Sequence, residues 1–194
     1  MDYKKYQEYR RIYPKLRLSW SLYKAWVKKD WQEVWSYLTG QQQSKSEYQI
    51  KGTTVHKWIE DNGWKKINGI SKYLKQKSYK QEKIIEKERD HYIIVSRPDL
   101  YNNKVVVDWK TGKSSGYEQQ LQLYMWVIGE KCVTGLLAEV KAKWKDEKIE
   151  EVDLYRVKQY EKSVYACDWE MRMDEMANDI ELHIKYLDRY IKQT

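Results

Sequence analysis

Apolar residues recur along this chain with two periods, and the change between them marks where helices give way to strands. Trp20, Tyr23, Val27, Trp31, Val34 and Leu38 fall three or four apart, which predicts one amphipathic helix over about 20–38. Trp26 and Tyr37 lie off that stripe and predict a second packing surface, base stacking being the other use of such rings. A helical region at about 3–13 precedes it and ends before Pro14. After a polar loop at Gly40-Gln41-Gln42-Gln43-Ser44, a helix is expected over about 48–61, stopping at Asn62-Gly63, with a short one near 68–76.

The period then shortens. Alternating and β-branched runs predict strands at about 82–89, 92–100 and 104–110. Leu121, Tyr124, Met125 and Ile128 restore helical spacing over about 117–129, and strands follow near 133–143 and 148–157. A C-terminal helical stretch over about 158–192 carries Trp169, Met173, Met176, Ile180, Ile184, Leu187 and Ile191 on one stripe. No repeat and no Pro/Gly-rich linker interrupts this order, so a single α/β domain over 1–194 is expected, with a central mixed sheet and helices on both faces. Its parts are a helical region to about residue 80, a sheet over about 81–157 and the closing helix.

Candidate chemistry concentrates in the second and third of these strands, Ser96-Arg97-Pro98-Asp99-Leu100-Tyr101 and Val105-Val106-Val107-Asp108-Trp109-Lys110. Asn102-Asn103 between them suits a two-residue hairpin, because Asn tolerates positive φ. That turn predicts Tyr101 opposite Lys104 and Asp99 opposite Val106, with Asp99, Val106, Asp108 and Lys110 on one face and Val105, Val107 and Trp109 on the other. Asp99 and Asp108 become diagonal neighbours about 7–8 Å apart. Two hard carboxylate ligands at that spacing suit Mg²⁺ or Mn²⁺, which activates water and neutralises charge developing on a phosphodiester. The backbone carbonyl of Trp109 can add a third oxygen, and Lys110 can orient water or stabilise the developing charge.

The surrounding residues carry a resemblance. Pro98-Asp99, the strand end Asp108-Trp109-Lys110-Thr111-Gly112, and Tyr117, Gln120, Leu121 and Tyr124 on the next helix stand in the order and spacing of the PD-(D/E)xK nuclease superfamily. The chain is similar to its RecB-like branch, which includes CRISPR-associated RecB-like exonucleases. The resemblance implies a restriction-endonuclease-like core, a catalytic set of Asp99, Asp108, Lys110, Gln120 and Tyr124, and a metal set of His56, Asp99, Asp108 and Trp109. By the same resemblance Gln120 contacts a phosphate or the water near Lys110, and Tyr124 braces the site. His56 lies in Gly52-Thr53-Thr54-Val55-His56, which looks like the branch's metal-binding helix, and Leu18-Ser19-Trp20-Ser21 looks like the start of its first helix. Glu86 and Glu88 are candidate accessory acids. The chain departs from the branch in its cysteines: Cys132 and Cys167 alone cannot supply four thiolates, so no iron–sulfur cluster is expected.

Composition narrows the partners. Thirty-seven basic and 29 acidic residues give a formal charge of +8, which favours a polyanion. Seven lysines between residues 65 and 83 face a single acid, Glu82, and Lys65, Lys66, Lys72 and Lys75 of that run, with Lys113, are candidate DNA contacts. Lys141, Lys143, Lys145 and Lys148 are diluted by Asp146, Glu147, Glu150 and Glu151 and read as a solvated surface. Ten Trp and eighteen Tyr must be largely core. No apolar run reaches a membrane span and the start is no signal peptide, so a cytoplasmic protein of the cell or its host is expected, with no membrane and no small-molecule cofactor. These features predict a metal-dependent deoxyribonuclease acting on single strands or DNA ends. The alternatives are a non-catalytic DNA-binding module of the same fold and an RNA-processing nuclease.

Overall fold

The computed structural model describes residues 3–41, 46–75, 78–112, 117–162 and 167–193. Among them the order is α1 (Tyr3–Ile12), β1 (Leu16–Leu18), α2 (Trp20–Val27), α3 (Trp31–Leu38), α4 (Glu47–Asn62), β2 (Lys80–Gln81), β3 (Ile85–Glu88), β4 (Tyr92–Ser96), β5 (Leu100–Tyr101), β6 (Val105–Lys110), α5 (Tyr117–Ile128), β7 (Thr134–Lys145), β8 (Lys148–Glu161) and α6 (Cys167–Gln193). A short 3₁₀ turn at Ile70–Lys72 stands where a helix near 68–76 is predicted, and another at Trp64–Lys66 precedes it. The chain folds into two compact units, one formed by residues 1–43, 86–96 and 164–194 and the other by 44–85 and 97–163.

The first unit carries a three-stranded sheet in the order β1-β4-β3, with β1 parallel to β4. Leu16, Leu18 and Ile94 are fully buried there, and α6 packs on β1. The predicted stripe of α6 is buried from Trp169 through Met173, Met176 and Ile180 to Ile184, while the Ile191 side chain lies outside the described residues. The helix begins at Cys167 rather than near 158, because β8 continues to Glu161. The long helix predicted over 20–38 is two helices. Lys29 adopts a positive φ of 57°, and Asp30 caps the second by accepting from Glu33 N. Trp26 donates to Asp179 Oδ2 at 2.9 Å and its ring lies 5.8 Å from that of Tyr23, so it serves packing. Glu86 and Glu88 pair with Arg17 and Lys15 of this unit, which answers their charge as surface ion pairs.

The second unit is a five-stranded mixed sheet in the order β2-β5-β6-β7-β8, in which β6 and β7 run parallel and the other neighbours antiparallel. Helices cover both faces, as the alternation of β6 predicts. Val107 and Trp109 face one way and pack with Leu100 and with Val55 and Ile59 of α4. Val106 faces the other way and packs with Tyr101 and with Leu121, Tyr124 and Met125 of α5. Two glycines set the approach of these helices. A Cβ at Gly135 of β7 would lie 3.2 Å from Leu121 Cβ, and one at Gly52 of α4 would lie 3.1 Å from Thr111 Oγ1.

The hairpin differs in register from the prediction. Leu100 pairs with Val107 and Tyr101 with Val106, so Asn103 and Lys104 occupy the turn. The cause is the Asn102 side chain, whose Oδ1 accepts from Lys104 N at 2.8 Å and Val105 N at 2.9 Å. The shift is two residues, so every side chain keeps its predicted face, which a shift of one would reverse. The strand expected over 92–100 breaks at Arg97-Pro98-Asp99, since Pro98 cannot donate to a ladder. The strand expected over 82–89 likewise divides, with Glu82 turning the chain at a φ of 49°. Among the described residues no helix is long and apolar enough to cross a membrane.

Candidate metal centre and cleft

The site lies wholly in the second unit and is assembled by the register just described. Extending the β5–β6 pairing by one residue sets Asp99 opposite Asp108, closer than the diagonal expected from sequence. Asp99 Oδ2 accepts the backbone N–H of Trp109 at 2.6 Å, tying the carboxylate to the end of β6. On the other side, the β2–β5 pairing continues to Glu82, whose N–H donates to the Asp99 carbonyl at 3.0 Å. Glu82 therefore faces Asp99 from the neighbouring strand end. α4 supplies the third wall: with Gly52 against Thr111, His56 one turn later comes within 3.2 Å (Nδ1) of Asp99 Oδ1.

His56, Glu82 and Asp99 each offer a donor atom, and these atoms all lie within 4.8 Å of one another. One imidazole nitrogen and two carboxylates within that distance match the donor set of a divalent cation such as Mn²⁺. Asp108 stands beside this group, and its Oδ2 meets Lys110 Nζ at 2.5 Å. Asp99 and Asp108 are buried, with 8 and 3 % of their surface exposed, and Lys110 and His56 set positive charge against them, a role that a divalent cation would share. The fit of the donor chemistry is therefore good.

The electrostatics follow from this crowding. Burial first, then Asp99, raises the Glu82 carboxyl to about 7 against the pull of Arg97. Burial likewise raises Asp108 to about 6, although Lys110 opposes it. For His56, burial works against protonation, but its contact with Asp99 prevails and lifts the ring above its ordinary value. Lys110 is also held above its ordinary value, because Asp108 and Asp99 outweigh the cost of its burial. Its ammonium lies 4.2 Å from the centroid of the Tyr117 ring.

Outside this group, Gln120 donates to the Tyr124 hydroxyl at 2.7 Å, and both side chains are buried on the sheet face that carries Asp108. Burial raises the Tyr124 hydroxyl far beyond its ordinary value, so it stays protonated. The Trp109 side chain is in the opposite core, leaving its backbone as its link to the site. Lys65, Lys66, Lys72 and Lys75 are exposed. Lys113 lies outside the described residues. An open cleft of about 830 Å³ leads to the centre, with Tyr48, His56, Glu82, Arg97, Asp99 and Lys110 among its walls.

Sequence reasoning missed Glu82 and Arg97. Arg97 Nε lies 2.9 Å from Glu82 Oε2 and NH2 lies 3.7 Å from Glu60 Oε1, so the arginine buttresses the acid at the cleft mouth. The available signal was Glu82's standing as the one acid in a lysine-rich run. Glu86 and Glu88, chosen as accessory acids, belong instead to the other unit.

Solved structures with a similar arrangement bear on this geometry. An alkaline exonuclease from Laribacter hongkongensis superimposes with a TM-score of 0.57 at 14% identity, covering 96% of this chain and 98% of that one. The chain shares the mixed α/β fold of that protein. The same Laribacter protein in complex with dAMP gives a TM-score of 0.52 at 15% identity, covering 92% of this chain and 94% of that one. A phage-related exonuclease from Haemophilus somnus gives 0.50 at 14% identity, covering 80% and 79%. No protein-family model matches the sequence, and no curated protein does.

Proposed function

We propose that this chain is a metal-dependent deoxyribonuclease that hydrolyses phosphodiester bonds in single-stranded DNA or at DNA ends, as an exonuclease with endonucleolytic cutting as a second mode. The observation that carries the reading is the convergence of His56, Glu82 and Asp99 in a cleft beside the Asp108–Lys110 pair. Exonucleases of the same fold agree with it.

Each residue then has a task. Asp99 and Asp108, with His56, Glu82 and the Trp109 carbonyl, would hold Mg²⁺ or Mn²⁺. The cation, when bound, supplies Lewis-acid activation of water and charge neutralisation at the phosphate. Lys110 stays protonated and aims its ammonium at the attacked phosphate oxygen or the attacking water, where charge develops. Tyr117 shields that ammonium on one side, which restricts its direction. Gln120 presents its remaining amide capacity to a phosphate or water while the Tyr124 hydroxyl fixes its rotamer. Arg97 steadies Glu82 and offers its other guanidinium nitrogens at the cleft mouth. The exposed Lys65, Lys66, Lys72 and Lys75, together with Lys113, track the strand beyond the site.

The test is cleavage of end-labelled single- and double-stranded DNA and of RNA with Mn²⁺ or with EDTA. We expect metal-dependent shortening of DNA that Asp108→Ala abolishes. Equal products from both proteins, or cleavage indifferent to EDTA, would contradict the assignment. Cleavage confined to RNA would transfer it to RNA processing.

A further inference from the structure

We propose that Tyr48 is a base-stacking platform through which the cleft selects unpaired strands; this rests on the nuclease reading above. Tyr48 is 88% exposed and nevertheless lines the cleft that leads to His56, Glu82 and Asp99. An exposed tyrosine alone means little, since much of any protein surface is apolar. Its placement gives it meaning.

Tyr48, Gly52 and His56 are spaced by four residues along α4 and share one face of the helix. Eight residues at a rise of 1.5 Å put Tyr48 about 12 Å from His56 along the axis, or about three to four stacked nucleotides at 3.4 Å each. Gly52, between them, has no side chain, and with Thr111 standing against it lines the same cleft as His56 and Tyr48. The ring is also carried on fixed backbone. The Ser46 hydroxyl accepts from Gln49 N while the Gln49 side chain accepts from Ser46 N, a reciprocal cap that pins the first turn of α4. Glu47 and Lys51 add an ion pair across the same turn.

Such a ring sees a π-face only where a base is unstacked. Inside a duplex both faces of each base are covered by neighbours and the edges are paired, whereas a single strand can lay a base on an aromatic surface whatever its identity. The cleft therefore prefers a strand that is already unpaired, without reading its sequence.

The experiment measures binding by anisotropy of fluorescein-labelled oligonucleotides with Mn²⁺, using the full chain carrying Asp108→Ala to prevent cutting. Adding Tyr48→Ala is expected to weaken single-strand binding about tenfold or more while leaving blunt-duplex binding unchanged, and Tyr48→Ala alone should bind Mn²⁺ in calorimetry as the wild-type chain does. Tyr48→Trp should retain single-strand affinity. An abasic position scanned along the oligonucleotide should weaken the Asp108→Ala protein at one location and leave the Tyr48→Ala double variant indifferent there. Parental single-strand affinity in the double variant, or equal loss on both strands, would overturn the inference. Should the wild-type chain cleave DNA while that happens, the nuclease reading stands and only the role of Tyr48 falls. If the wild-type chain neither binds nor cleaves DNA, the nuclease reading falls and takes this inference with it.

Discussion

Glu82 links the charge of the cleft to the stability of the fold. In the metal-free protein its carboxyl is raised to about 7 from an ordinary 4.5, so between those values the folded chain holds a proton that the unfolded chain has released. Stability therefore falls as pH rises through that window. His56 acts in the same direction, because a raised imidazole stabilises the fold below its ordinary 6.5 and loses that contribution as pH climbs through its folded value. Thermal melts in EDTA should show a lower melting temperature at pH 7.5 than at pH 5.5. Mn²⁺ should raise it more at the higher pH, where the donors are unprotonated. Glu82→Gln should flatten the EDTA profile, and an unchanged slope would show that the acid is not held as described. In calorimetry, His56→Ala and Glu82→Ala should each weaken Mn²⁺ binding by about tenfold or more, and equal affinities would return both residues to structural roles. At this scale the sequence was informative where chemistry is local. Asp99, Asp108 and Lys110 could be read from the motif and from alternation, because side-chain direction in a strand is fixed by period two. Glu82 could not, since what brings it to Asp99 is a strand pairing across seventeen residues and a positive φ that no single-sequence pattern displays.

The elements show how much of that placement depends on close backbone approach. A side chain at Gly135 must displace Leu121, so Gly135→Val is expected to cost about 1–3 kcal/mol by overpacking and to shift α5, carrying Gln120 and Tyr124 with it. Urea unfolding measures the loss, and undiminished stability would mean that the α5–β7 contact yields freely. Asn102→Ala removes an oxygen that accepts two backbone N–H groups, and about 0.5–2 kcal/mol is expected from its loss, by analogy with a helix cap. The position of α4, of α5 and of the long β7–β8 hairpin was legible from periodicity. The ends and breaks were not. Asp30 could be seen as polar but not as a cap that splits a continuous apolar stripe, and β8 overran its predicted end because strand and helix patterns merge where polar residues alternate. The two-residue error in the hairpin left the faces intact, which is why the site survived it.

For the whole molecule, the formal charge of +8 and the exposed lysines at 65, 66, 72 and 75 make salt the natural probe. Replacing those four with Ala should weaken single-strand binding and lower the slope of log affinity against log salt by about 0.7 for each lysine that contacts a phosphate. An unchanged slope would leave them as ordinary solvated charges. Lys143, paired with Glu151 and Asp153, should contribute nothing of this kind. The division into two units was not legible in the sequence, since each is built from separated segments and no linker composition marks the crossings at 43–44, 85–86, 96–97 and 163–164. On the function proposed above, Lys110 acts beside a divalent cation held by His56, Glu82, Asp99 and Asp108 to hydrolyse DNA. The most direct measurement is single-turnover cleavage of labelled single-stranded DNA with Mn²⁺ by the wild-type chain and by Lys110→Ala, alongside calorimetry of Mn²⁺ binding to each. Metal should bind to both, and the cleavage rate should be lowered by about 10²–10³ or more in the variant. Wild-type turnover by Lys110→Ala would contradict the proposed function.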